Sequence, residues 1–214
     1  MAGNTKERIT LSALSLFAQS GYSGTSMNDI ASTLGITKAA LYRHFSGKRE
    51  ILDSIVERMR KADTERAGEY RMPETEPNAF SEEYPNTSAE SIRSYSMAQF
   101  EYWTKDPFAA NFRKMLTLEQ YRDPQLAALY RDYIAAGPAK YMAAIFRGYS
   151  GSEADAMQLA LDFYGPMFLL YSVYDTAEDK DGVAALLDEH IKRFFASLCG
   201  CKEGNAHAAD EQGR

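Results

Sequence analysis

Apolar residues in this 214-residue chain recur at intervals of three and four, and period-two alternation hardly occurs. That spacing follows the turn of an α-helix and leaves no half-buried strands, so the fold class is all-α. Ile9, Ala13, Leu16 and Phe17 mark one face of a first helix over 6–20, stopped by Gly21, a residue that takes the left-handed conformation at little cost. Ser26 caps a short second helix through Leu34, with Asp29 placed to complete a capping box, and Gly35 ends it. Thr37 caps a third short helix over 38–44, whose Leu41 and Phe45 lie four apart on its buried side. A fourth helix, starting at Ser46 and carrying Ile51, Leu52, Ile55, Val56 and Met59, runs to about Arg71. At 1.5 Å per residue it spans roughly 35 to 40 Å, long enough to bridge two domains.

The segment 72–89 holds three prolines and four glutamates with no Lys or Arg, the composition of a solvated acidic linker. Beyond it the spacing predicts helices over 88–104, 107–118, 124–149, 152–175 and 181–199, two of them opened by Asp106-Pro107 and Asp123-Pro124. Gly137-Pro138 and Gly165-Pro166 fall inside predicted helices and are expected to kink or break them. The resulting organisation is a three-helix module over 1–47, a connecting helix over 48–71, the linker over 72–89, a helical body over 90–199 and a disordered tail over 200–214.

The net charge of −6 argues at first against a polyanionic partner, but the charge is unevenly distributed. Residues 1–60 carry eight Lys/Arg against five Asp/Glu, and the other 154 carry 16 against 25, so a basic module is joined to an acidic body. Within that module the helices 26–34 and 37–44, joined at Gly35, have the layout of a helix-turn-helix, whose second helix enters the major groove. Thr37, Lys38, Ala39, Tyr42, Arg43 and His44 place donors and small residues on the exposed edge of that helix. Thr25, beside the cap Ser26, and Lys48 at the start of the fourth helix are positioned for flanking phosphates. On periodicity and charge alone, such a hairpin also reads as an ordinary solvated surface.

Several functions are disfavoured. No apolar run approaches the roughly 20 residues a bilayer crossing needs, and the first ten residues lack the apolar stretch of a secretory signal, so the expected address is the cytoplasm. Cys199 and Cys201 have neither metal-finger nor redox spacing. Nucleophile elbow, P-loop, zinc-protease and dinucleotide motifs are missing, and three histidines spread over the chain give little material for catalysis. Neither an enzyme, a metal site nor a cofactor is expected.

The stretch FAQSGYSGTSMNDIASTLGITKAALYRHFSGKREIL resembles the N-terminal signature of TetR-type transcriptional regulators. Every fixed position of that signature is matched, from Phe17 and Gly21 through Thr25, Ile30, Gly35 and Tyr42 to Phe45 and Lys48. The resemblance covers about Leu11 to Leu52 and implies that Thr25, Thr37, Lys38, Ala39, Tyr42, His44 and Lys48 contact double-stranded DNA. Ala39 stands where relatives often carry glycine, a small change that still permits close approach to the groove.

In the body, the helix 152–175 is apolar on two sides, one through Ala156, Leu159, Ala160, Phe163, Met167, Leu170 and Tyr174, the other through Met157, Leu161, Tyr164, Phe168 and Tyr171. The last helix has similar width through Leu187, Ile191, Phe194 and Leu198. These two helices together could form a two-fold dimer interface, the place where TetR-type proteins dimerise; a single well-packed monomeric bundle satisfies the same pattern. A homodimer would present two recognition helices to a palindromic operator. The resemblance also implies an effector site in the body. Its candidate residues are Met97, Phe100, Trp103, Met115, Tyr130 and Tyr133, together with Phe163, Tyr164, Met167 and Tyr171, suited to a small apolar or aromatic effector. The same stripe reads equally as filled core. The expected function is therefore a ligand-responsive repressor, with a DNA-bound architectural or protein-recruiting factor lacking an effector as the alternative.

Overall fold

The computed structural model describes residues 2–73, 87–150 and 152–211, with side chains described for 5–73, 87–150 and 152–198. The described residues form ten α-helices and no strand: α1 (Ala2–Ser20), α2 (Met27–Leu34), α3 (Lys38–Tyr42), α4 (Lys48–Glu69), α5 (Ala89–Lys105), α6 (Pro107–Glu119), α7 (Pro124–Tyr133), α8 (Ala136–Phe146), α9 (Glu153–Thr176) and α10 (Lys180–Glu211). Most of the expected linker, residues 74–86, lies outside the described residues.

The local signals act as sequence chemistry requires. Ser26 accepts from the Asp29 amide while the Asp29 carboxylate accepts from the Ser26 amide, a reciprocal capping box. Gly35 closes α2 at φ +65°, a conformation that a Cβ would strain. Asp106 and Asp123 each receive two amides from the first turn of the helix they precede, and the proline that follows supplies a fixed φ and no orphan donor.

Three expectations need correction. The helix expected over 124–149, with a kink or break at Gly137-Pro138, is broken slightly earlier, because the amides of Ile134 and Ala135 both return to the Tyr130 carbonyl and the chain restarts at Ala136. Pro138 then falls in the first turn of α8, where its missing donor costs nothing. Conversely, α9 continues through Pro166, which forfeits one hydrogen bond while Phe163, Tyr164, Met167 and Leu170 around it are buried. Helix α10 runs on to Glu211, past the point where a disordered tail is expected from residue 200.

The chain divides into two compact units, residues 1–66 with 102–137, and 67–101 with 138–214. In the first, α1 packs on α6 and on α2, α2 on α3, and α6 on α7. Ile9, Ala13, Leu14 and Phe17 of α1 are buried together with Ile30, Leu41, Phe45, Ile51, Phe112 and Leu116. Leu14, not Leu16, completes the inner face of α1. In the second unit α9 packs along α10. The Phe163 ring there meets Phe146 at 5.4 Å, Phe194 at 5.1 Å and Phe195 at 6.0 Å. Truncating Phe163 empties the centre of that cluster, so Phe163→Ala is expected to cost about 3–5 kcal/mol, measured as a lowered urea midpoint at unchanged helical circular dichroism.

Candidate nucleic-acid interface

Helix α3 has five residues, too few to be stable alone, so its placement comes from its anchors. Leu41 is fully buried and Phe45 nearly so, which turns the opposite edge outward. Thr37 caps the helix by accepting from the Ala40 amide at 3.1 Å. Lys38, Ala39, Tyr42 and Arg43 are exposed along with Thr37, while His44 is half-buried. The Lys38 ammonium stands 5.9 Å from the Tyr42 ring centroid, so a cation and a phenol hydroxyl share one outward edge.

The flanking residues sit differently from that edge. Thr25 is buried, and its hydroxyl donates to the Gly21 carbonyl at 2.9 Å instead of facing outward. Lys48 is half-buried, with Nζ donating to the carbonyls of Tyr22 at 2.5 Å and Thr25 at 2.7 Å and standing 4.3 Å from the Tyr22 ring. Burial lowers its pKa, and Glu119 opposes that change. Before α4, the Ser46 amide and hydroxyl both donate to the Glu50 carboxylate at 2.6 and 2.8 Å, occupying donors that a phosphate would use. These hydrogen bonds hold the Glu50 carboxyl below its ordinary pKa, as the Ser26 hydrogen bonds do for Asp29. The turn between α1 and α2 therefore owes its shape to side chains 23 to 96 residues away, which helical periodicity does not reveal.

The expected effector residues fall into both units. Trp103, Met115, Tyr130 and Tyr133 belong to the first; Met97, Phe100, Phe163, Tyr164, Met167 and Tyr171 belong to the second. In the first, Trp103, Phe112 and Tyr133 form a ring cluster with centroids 5.3 to 6.4 Å apart. In the second, Phe100 stacks on Tyr171 at 5.4 Å and meets Tyr174 edge-on at 5.7 Å.

Sequence reasoning missed the polar pair beside the first cluster. Asp63 and Arg66, one turn apart on α4, form an ion pair at 3.1 Å, and the guanidinium lies 3.4 Å from the Tyr102 ring centroid. Desolvation pushes the Asp63 carboxyl up to about 6 despite Arg66, and desolvation with the nearby Asp63 charge pushes the Tyr133 hydroxyl up to about 12. The i,i+3 spacing on α4 was a legible signal for the pair but not for its burial.

The dimer candidates also divide. Leu187, Ile191 and Phe194 are buried within their own chain, a correction forced by the packing of α10 on α9, while Met157 and Leu198 are half-buried. Leu161 and Phe168 do face outward, 50% and 40% exposed, and Leu169, Val173 and Leu186 join them.

Helices α2 and α3, joined at Gly35 and packed on one another, have the layout of a helix-turn-helix. Residues 9–55 match the family described as bacterial regulatory proteins, tetR family. The negative transcriptional regulator IcaR of the biofilm operon icaADBC in Staphylococcus aureus is 43% identical over 51 residues, covering 24% of this chain and 27% of IcaR. This chain thus spans about a quarter of the length of the curated relatives it matches. A transcriptional regulator from Aquifex aeolicus superposes with a TM-score of 0.61 at 20% identity, over 88% of this chain and 98% of that one. A Saccharomonospora viridis protein solved in complex with choline gives 0.59 at 20% identity, over 89% and 96%. The N-terminal module is of the TetR type, and the chain has the fold of TetR-family structures. No helix among the described residues is long and apolar enough to cross a membrane.

Asp63 gives a signed pH dependence. Its carboxyl binds a proton more tightly in the folded chain than at its ordinary value of 3.8, so its contribution to stability declines as pH rises from about 4 to about 6 and is level above that. Asp63→Asn should remove this decline. In urea titrations, wild-type stability relative to the variant should fall by about 1–2 kcal/mol across the window after allowance for solvent screening.

Proposed function

We propose that this protein is a homodimeric, ligand-responsive transcriptional repressor that binds a palindromic operator. The outward edge of α3 carries the reading: Lys38, Ala39, Tyr42 and Arg43 stand free on a helix fixed from behind by Leu41 and Phe45. Lys38 and Arg43 have the donor chemistry for guanine edges or phosphates, and Ala39 is small enough for the backbone to approach the bases. Thr25, Ser26, His44 and Lys48 support the edge from behind or beside it.

One such edge on a module with a small positive excess binds weakly, whereas two joined by two-fold symmetry read successive major grooves about 34–36 Å apart. The outward face of α9 supports that pairing. Leu161, Phe168, Leu169 and Val173 follow helical spacing around Gly165, where an added Cβ would meet open space, so a second copy of the helix can approach closely. Leu186 of α10 extends the apolar surface.

The effector of this reading is a small apolar or aromatic molecule: Trp103, Phe112 and Tyr133 have the aromatic chemistry to contact it, and the Asp63–Arg66 pair of the same unit would orient a polar group on it. An effector that favours one conformation by about 1–3 kcal/mol would suffice for ordinary coupling to operator affinity.

Selection of operators from a random duplex pool tests the reading. Lys38→Ala and Arg43→Ala should each weaken binding to the selected duplex about 5- to 100-fold; a phosphate contact lowers the salt slope by about 1, and a base contact relaxes one position of the site. Phe168→Asp paired with Leu169→Asp should give a monomer in sedimentation and lose most operator affinity, since burying carboxylates in an apolar interface is costly. Protein that enriches no duplex at low salt would overturn the assignment.

A further inference from the structure

The turn joining α1 to α2, residues 21–25, is gripped from two sides by residues of opposite charge. Lys48 of α4 donates to the carbonyls of Tyr22 and Thr25, and its ammonium covers the Tyr22 ring, which in turn meets Phe17 edge-on at 5.1 Å. Glu119, the last residue of α6, is completely buried and uses its two carboxylate oxygens on one residue of the turn. Oε1 accepts from the Ser23 amide at 3.3 Å and Oε2 from the Ser23 hydroxyl at 3.2 Å, while Arg122 stands 3.9 Å away. The Thr25 hydroxyl closes the turn on the Gly21 carbonyl.

A buried carboxylate is costly to desolvate and is retained only where its partners compensate it, so this one is better explained by geometric specificity than by packing. Gly21 gives an independent sign of that role. Its φ is +80°, and a Cβ there would collide with Glu119 Oε1, so the carboxylate reaches the turn through space that a glycine leaves open. The turn leads directly into Ser26, the cap of α2, and α2 packs on α3. A rotation of residues 21–25 therefore displaces the recognition edge.

We infer that Lys48 and Glu119 act as a two-sided clamp on the α1–α2 turn and are positioning residues for DNA binding, Lys48 spending its protons inward and not on a phosphate. The DNA consequence rests on the operator-binding reading above; the clamp itself does not. Glu119→Gln and the milder Ser23→Ala separate this inference from a merely structural role. Removing a negative charge near a polyanion should by itself strengthen DNA binding, whereas loss of the clamp should weaken it.

The experiment uses the full-length chain and a duplex selected by the wild type. Both variants are expected to bind it about 5- to 10-fold more weakly with the salt slope unchanged, and the double variant to be less impaired than the product of the two. Lys48→Gln should behave likewise. Amide hydrogen exchange at 22–25, measured without DNA, should accelerate by about tenfold or more in Glu119→Gln while α9 and α10 keep their protection. Affinity equal to or above wild type, a salt slope reduced by about 1 in Lys48→Gln, or unchanged exchange at 22–25 would each overturn the clamp. A wild type that selects no duplex overturns the operator reading instead, and the exchange measurement still decides the clamp.

Discussion

The burial of Leu41 and Phe45 is the interaction on which the rest of the N-terminal module depends. A five-residue helix has too few internal hydrogen bonds to offset its nucleation cost, so α3 exists because two large side chains on one side are removed from water. Their position also decides which residues are presented. With Leu41 and Phe45 inside, Lys38, Ala39, Tyr42 and Arg43 have only the outside left, and the edge is rigid because its hydrophobic side has one place to go.

A second layer holds that anchored helix in register. The capping box at Ser26 and Asp29 sets where α2 begins, and the αL glycine at 35 sets where it ends. The preceding turn has one local side-chain device, the Thr25 hydroxyl on the Gly21 carbonyl, and is otherwise held from a distance. Its Tyr22 and Thr25 carbonyls pair with Lys48 and its Ser23 amide with Glu119, side chains of α4 and α6, so that part of its conformation is a tertiary property. Buried charge at that point has a chemical logic: a turn leaves donors and acceptors unpaired, and a cation for the carbonyls with a carboxylate for the amide and hydroxyl completes both sets.

In the second unit the same economy of surfaces governs α9. One stripe, through Ala156, Ala160, Phe163 and Met167, is buried in its own chain, and Phe194 of α10 fills the space beside Phe163. Leu161, Phe168, Leu169 and Val173 keep substantial exposure, so the helix carries more apolar surface than its own chain covers. The wide apolar girth of α9 was legible in the sequence. The outward turn of Leu161 and Phe168 followed that reading, whereas the burial of Tyr164 and Tyr171 beside them did not, because the shape of what packs on a stripe decides how much of it is covered.

The sequence by itself determined the helical class, the caps at Ser26, Thr37, Asp106 and Asp123, the glycine stop at 35 and the composition of the recognition edge, because each of these depends on contacts within about one turn of helix. The tertiary structure decided that Thr25 and Lys48 face the interior, that Leu187 and Ile191 belong to the core, that Gly137-Pro138 opens a new helix while Pro166 stays within one, and that Asp63 carries a raised pKa. Those outcomes depend on which distant side chain occupies a given space and how much water it displaces, quantities that spacing along the chain does not encode.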